Sequence, residues 1–139
     1  LFQQLGELSA SELRRVLIMA SIVEKEAQKA SERSIIAGVF YNRIKKGYPL
    51  QSCATIQYAL GTRKSRLLYQ DLQVDSPYNT YKNYGLPPGP ISNPGRASLK
   101  AAAYPEAVSY LYFVARSDGS HIFSNTYAQH LAAQRKADL

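Results

Sequence analysis

The sequence predicts an α+β domain, and three observations carry the prediction. Apolar residues recur at helical spacing through most of residues 8–47. Residues 76–95 hold five of the seven prolines and form no regular pattern. Near the C-terminus, an alternating aromatic and branched run is centred on Asp118-Gly119, the signature of a β-hairpin. Helices, then an irregular segment, then a hairpin and a last helix make an α+β order.

The first helix reads as "LSASELRRVLIMASIVEKEAQ", capped by Ser9 or Ser11. Glu12 suits its first turn, where the helix dipole favours negative charge. Leu13, Val16, Leu17, Ala20, Val23 and Ala27 form one apolar stripe. A second helix begins at Ser31, buries Ile35, Ile36, Val39, Phe40 and Ile44, and stops at Gly47 after Lys45 and Lys46. "SCATIQYALG" at 52–61 is a short helix or turn with a glycine stop, and residues 62–75 are a basic loop with a turn around Asp71. The 76–95 segment exceeds the ~12–15 residues of an ordinary loop. Its Tyr78, Tyr81 and Tyr84 predict an ordered loop that lines something. "RASLKAAAYP" is a short helix ended by Pro105, and "TYAQHLAAQRKA" is an amphipathic last helix.

The 139 residues suffice for one domain with a core. The net charge of +7 favours anionic partners such as a cell-wall polymer, anionic lipid or nucleic acid. The basic residues are scattered, as in "RIKK" and "RKSR", and no nucleic-acid motif accompanies them, so a nucleic-acid partner is not expected. Cys53 stands alone, which rules out an internal disulfide. His121 and His130 are the two histidines, no cluster has ligand spacing, and neither metal nor other cofactor is expected. Leu1 is no initiator, and the first ten residues lack the basic start and apolar centre of a signal peptide. The expectation is a piece of a longer protein, with any targeting or anchoring segment upstream.

The stretch "ASIVEKEA" carries the chemistry. On a helical wheel, Glu24 falls among Leu13, Leu17 and Ala20. Glu26 falls beside Met19 and Ile22, at the stripe's border. A carboxyl group against apolar side chains gains protons more readily, and a protonated acid can serve a leaving oxygen. Glycoside cleavage needs such an acid. The plainer alternative is a solvated patch of weak ion pairs. Periodicity does not choose between the two glutamates.

"ASIVEKEA", "ER", "AGVFYNRIKKGYPLQS", "TIQYALG", "SPYNTYKNYGLPPGPISNPG", "SLKAAAYP", "YLYFVA" and "HIFSNTYAQH" follow one another in an order that resembles the MltG-type (YceG-like) endolytic murein transglycosylases. The resemblance runs from residue 9 to residue 136. It implies a single catalytic domain over 1–139 with a lysozyme-like helical core. The family's membrane anchor and LysM-like domain would lie upstream, placing the full-length protein at the extracytoplasmic face of the bacterial plasma membrane. The resemblance identifies Glu26 as the catalytic acid. The implied reaction breaks the bond between N-acetylmuramic acid and N-acetylglucosamine within glycan strands and leaves 1,6-anhydro ends. Peptidoglycan is the implied substrate, and cell-wall synthases are implied partners. The family often has an aspartate where Cys53 stands.

Chemistry nominates the substrate-binding residues. Gln51, Ser52, Thr55 and Gln57 offer neutral donors and acceptors for acetamido and hydroxyl groups. Tyr78, Asn79, Thr80 and Tyr81 offer stacking faces and an amide on the long loop, with Asn79 or a tyrosine hydroxyl suited to orienting the acetamido group or Glu26. His121 and His130 face the cleft, the surface or the core. Glu32 and Arg33 read as an ion pair or cap. The alternative function is an idle glycan-binding module that holds strands without turnover.

Overall fold

Caps and apolar spacing set the helices. The computed structural model of the chain describes residues 1–62, 64 and 66–137. Arg63 and Ser65, from the basic loop, lie outside the described residues. A short helix, α1 (Phe2–Gly6), precedes the principal helix, α2 (Ala10–Glu26). Of the two candidate caps, Ser9 takes the position. Its hydroxyl accepts the Glu12 backbone N–H at 3.2 Å and donates to Glu12 Oε1 at 2.9 Å.

The expected single stripe on α2 holds only for its first half. Leu13, Val16 and Leu17 are part-buried, whereas residues 18–23 are buried on every side. The reason is position: α3 (Arg33–Lys45), α4 (Cys53–Leu60) and α5 (Arg96–Ala103) all pack on α2, making it the central helix. Ser31 does not begin α3. It sits inside a 3₁₀ turn (Ala30–Glu32), and Glu32 holds the cap position. The Glu32 side chain instead reaches the hairpin.

Helix α3 buries Ile36, Val39 and Phe40, and Phe40 meets Phe113 edge-on at 5.5 Å. Gly38 sits where α3 touches the chain after α5. A Cβ there would lie 2.6 Å from the Glu106 carbonyl oxygen and 3.0 Å from Val108 Cγ2. Gly38→Ala is therefore expected to lower stability by about 2 kcal/mol from overpacking, although alanine suits a helix better by about 1 kcal/mol. Urea denaturation reads the sign, and a stabilised variant would contradict this close approach.

Helix α4 ends at Gly61, which takes the left-handed φ of 73° that closes a helix. After it, Lys64 and Asp71 form an ion pair at 2.9 Å beside a 3₁₀ turn (Tyr69–Gln73). The 76–95 segment has neither helix nor strand, yet it is pinned. Asn79 Nδ2 donates to the Leu72 and Val74 carbonyls, and its Oδ1 accepts the Tyr81 N–H at 2.9 Å. Strands β1 (Tyr112–Ala115) and β2 (His121–Ser124) pair antiparallel, from Tyr112 opposite Ser124 to Ala115 opposite His121. Helix α6 (Tyr127–Ala137) packs on both strands. A helical core around α2 with one small sheet is an α+β fold. No helix among the described residues is long and apolar enough to cross a membrane.

Candidate active site

The two acids at the end of α2 serve different helices. Glu24 Oε1 accepts the Gly95 backbone N–H and the Ser98 hydroxyl, each at 2.9 Å, at the start of α5. These bonds hold its carboxyl below the ordinary carboxylate range, against the pull of partial burial, and Arg33 and Lys25 act in the same direction. Glu24 is an anionic staple for a helix N-terminus.

Glu26 Oε1 accepts the Ser52 hydroxyl and the Ala54 backbone N–H, each at 2.9 Å, at the start of α4. Here burial dominates and pushes the carboxyl above its ordinary range. The Ala54 and Ser52 hydrogen bonds and nearby His121 oppose it without prevailing. The residue is only part-buried because one side opens to a cleft; elsewhere protein atoms crowd it. Two donors occupy Oε1, and among the described residues none binds Oε2. The proton of the acid form therefore sits on Oε2.

The split between the acids has a measurable consequence. A depressed folded value contributes stability above the unfolded carboxylate range, which is lost as pH falls through that folded value. Glu24→Gln keeps an acceptor but loses the charge, so it is expected to cost about 1 kcal/mol at neutral pH and to flatten the acid-side slope. Urea midpoints of both proteins from about pH 6 to about pH 2 check this. Equal slopes would contradict the role given to Glu24.

The cleft has a volume of about 1120 Å³. Glu26 and Lys25 stand between two walls. One wall comes from α4 and the adjoining loops, with Cys53, Gln57 and Tyr81. The other comes from the hairpin and α6, with Tyr112, His121 and His130. Arg43 joins them. Its Nε donates to the Pro49 carbonyl at 2.9 Å, its Nη1 to the Leu111 carbonyl at 2.8 Å and its Nη2 to Gln51 Oε1 at 3.3 Å. Its guanidinium lies against the Tyr48 and Tyr112 rings at 5.5 and 5.4 Å. Glu26 is the one carboxylate lining the cleft among the described residues.

The profile of the YceG-like family matches residues 2–136. The chain belongs to the YceG-like family. It is 51% identical over 124 residues to the endolytic murein transglycosylase of Bacillus subtilis, covering 89% of this chain and 34% of that protein. The Streptococcus pneumoniae enzyme of the same name is 39% identical over 124 residues, covering 85% of this chain and 22% of that protein. The chain thus spans about a third or less of these YceG-like relatives. A crystal structure of a YceG-like protein from Listeria monocytogenes superposes with a TM-score of 0.83 at 54% identity, covering 86% of this chain and 39% of that one.

Within this YceG-like domain the nominated residues separate by depth. Gln51, Gln57 and Tyr81 line the cleft with Glu26. Gln51 holds a left-handed φ of 54°, which few non-glycine residues adopt, and its N–H bonds the Thr80 carbonyl at 3.1 Å. The Gln57 amide is engaged by the Lys64 backbone on both sides, at 2.8 and 2.9 Å. Ser52, Thr55 and Thr80 are buried. Thr80 Oγ1 accepts the Ser52 N–H at 2.9 Å and lies 2.8 Å from Thr55 Oγ1. This trio fixes the first turn of α4 and, through the Ser52 hydroxyl, Glu26 itself. Asn79 is fully buried, and its amide pins its own loop rather than Glu26 or a sugar. Tyr78 packs against Tyr58 at 4.8 Å and against the core. Tyr84 is exposed.

Cys53 opens onto the cleft with Sγ 3.5 Å from the Tyr81 hydroxyl, and burial pushes its thiol up, away from a reactive thiolate. Both histidines line the cleft. Glu32 pairs with His121, at 2.9 Å, and no ion pair with Arg33 forms among the described residues. Arg43 carried no signal in the sequence, where a basic residue late in a helix reads as a match to the dipole.

Proposed function

We propose that this chain is the catalytic domain of a lytic transglycosylase that cleaves within peptidoglycan glycan strands. One observation carries the reading: a single dehydrated carboxyl, Glu26, lines a cleft that holds no second carboxylate among the described residues. Hydrolytic glycosidases pair two carboxyl groups about 5–10 Å apart, one for the leaving group and one for water or the anomeric carbon. An internal hydroxyl in place of water makes a second carboxylate unnecessary.

Glu26 Oε2–H donates to the glycosidic oxygen between N-acetylmuramic acid and N-acetylglucosamine. As that bond breaks, charge develops on the muramoyl ring. The C6 hydroxyl of the same ring closes on C1, and its proton restores the Glu26 acid. The product is a 1,6-anhydro end, and no water is consumed. The start of α4 holds Oε1, which leaves Oε2 for the substrate in the cleft. Cutting inside strands would limit the length of nascent glycan. In the full-length protein this would occur at the outer face of the plasma membrane, beside cell-wall synthases.

Mass analysis of sugar ends after digestion of purified sacculi tests the reading. Anhydro-muramic ends are expected. Reducing muramic ends would indicate hydrolysis, and strands bound but uncut would indicate a glycan-binding module.

A further inference from the structure

We propose that His121, oriented by Glu32, is the second proton-handling residue of the cleft, its Nε2 accepting the proton that leaves the C6 hydroxyl. This rests on the transglycosylase reading above and refines its last step.

Glu32 grips His121 twice. Its Oε1 lies 2.9 Å from Nδ1, and its Oε2 accepts the His121 backbone N–H at 3.1 Å. The two side chains are 3% and 14% exposed, so the pair is almost out of solvent. A ring nitrogen facing a carboxylate carries the hydrogen, which leaves the other nitrogen of a neutral imidazole as an acceptor. Among the described residues Nε2 has no protein partner, and His121 shares the cleft lining with Glu26. Phe113 stands edge-on to the ring at 5.3 Å and holds its plane.

A purely structural pair would join the hairpin to the turn before α3 and do no more. The occupancy of Glu26 argues for more than that. Ser52 and Ala54 take Oε1, so Oε2 alone meets the leaving oxygen. After giving its proton, that one oxygen would have to turn to O6, on the other sugar. A second acceptor in the cleft divides the work. Glu26 Oε2–H passes to the leaving oxygen as the C1–O bond breaks. O6 then bonds C1, and its proton moves to Nε2. The imidazolium finally returns that proton to the Glu26 carboxylate. Both residues end as they began, and no co-reactant is used.

The charged and titratable groups around His121 and its cleft are Glu32, Lys25 and Glu26, Arg43, Cys53, His130 and the phenols of Tyr58, Tyr81, Tyr112 and Tyr127, while Lys64 is engaged by Asp71. The test is the rate of anhydro-product formation against pH for the wild type, His121→Asn and Glu32→Gln. Asparagine keeps a donor for Glu32 but supplies no base. A bell-shaped wild-type profile is expected. His121→Asn should lose at least about a hundredfold in kcat, with KM little changed and the acid limb gone. Glu32→Gln should move that limb. A His121→Asn variant within about twofold of wild type, with the same profile and an inactive Glu26→Gln control, would overturn the proposal. An active Glu26→Gln would instead sink the underlying reading. If circular dichroism shows His121→Asn unfolded, the acid limb decides: its absence from the wild type, or its indifference to Glu32→Gln, overturns the proposal.

Discussion

Glu26→Gln is expected to cut anhydro-product formation by about 10³-fold or more and to leave the fold intact. The amide cannot donate an acidic proton to a leaving oxygen. It does keep an oxygen for the Ser52 hydroxyl and the Ala54 N–H, so the start of α4 stays anchored. Stability should move the opposite way from activity. A raised folded value means that the native state holds its proton longer than the unfolded chain. Stability contributed by that proton is then lost as pH rises from the ordinary carboxylate range to the raised folded value. Glutamine removes this loss, so the variant should melt at or above the wild-type temperature at neutral pH, as is common for residues under functional strain. A variant that is both inactive and strongly destabilised would mean that Glu26 is chiefly a structural cap.

Arg43→Ala carries the largest expected cost in stability, about 3 kcal/mol, or a fall of about 10 °C in Tm. The residue is 7% exposed and its guanidinium bonds two backbone carbonyls and Gln51. Truncation strands the Pro49 and Leu111 carbonyls and leaves a cavity beside Tyr48 and Tyr112. Because these groups belong to both cleft walls, glycan cleavage should fall as well. Arg43→Lys should recover little, since one ammonium cannot reproduce the fork. Calorimetry on the three proteins checks the order, and a lysine variant as stable as wild type would contradict it.

What the sequence made legible was local. Apolar spacing located α2 and α3, glycines at 47 and 61 marked the ends of α3 and α4 with positive φ, and Asp118-Gly119 marked the hairpin turn. What escaped was long-range. Helix α1 is five residues long, too short for a periodic signal. The wheel left Glu24 and Glu26 open because both sit near the apolar stripe. Each accepts one backbone N–H and one serine hydroxyl from residues far along the chain, and it is burial, dominant at Glu26 but not at Glu24, that separates them. Asn79 and Thr80 looked like sugar ligands because composition cannot report depth; folding buries both. The Glu32 to His121 contact spans 89 positions, and no local pattern encodes it.

Carbon-13 titration of the glutamate side-chain carboxyls, with Glu24→Gln and Glu26→Gln used to assign the two signals, reads directly whether Glu26 keeps its proton where Glu24 has lost its own. In one folded protein, Glu24 should titrate below the ordinary carboxylate range and Glu26 above it. A Glu26 signal that titrates with or below Glu24 would contradict it, because a carboxyl already ionised at working pH has no proton to give.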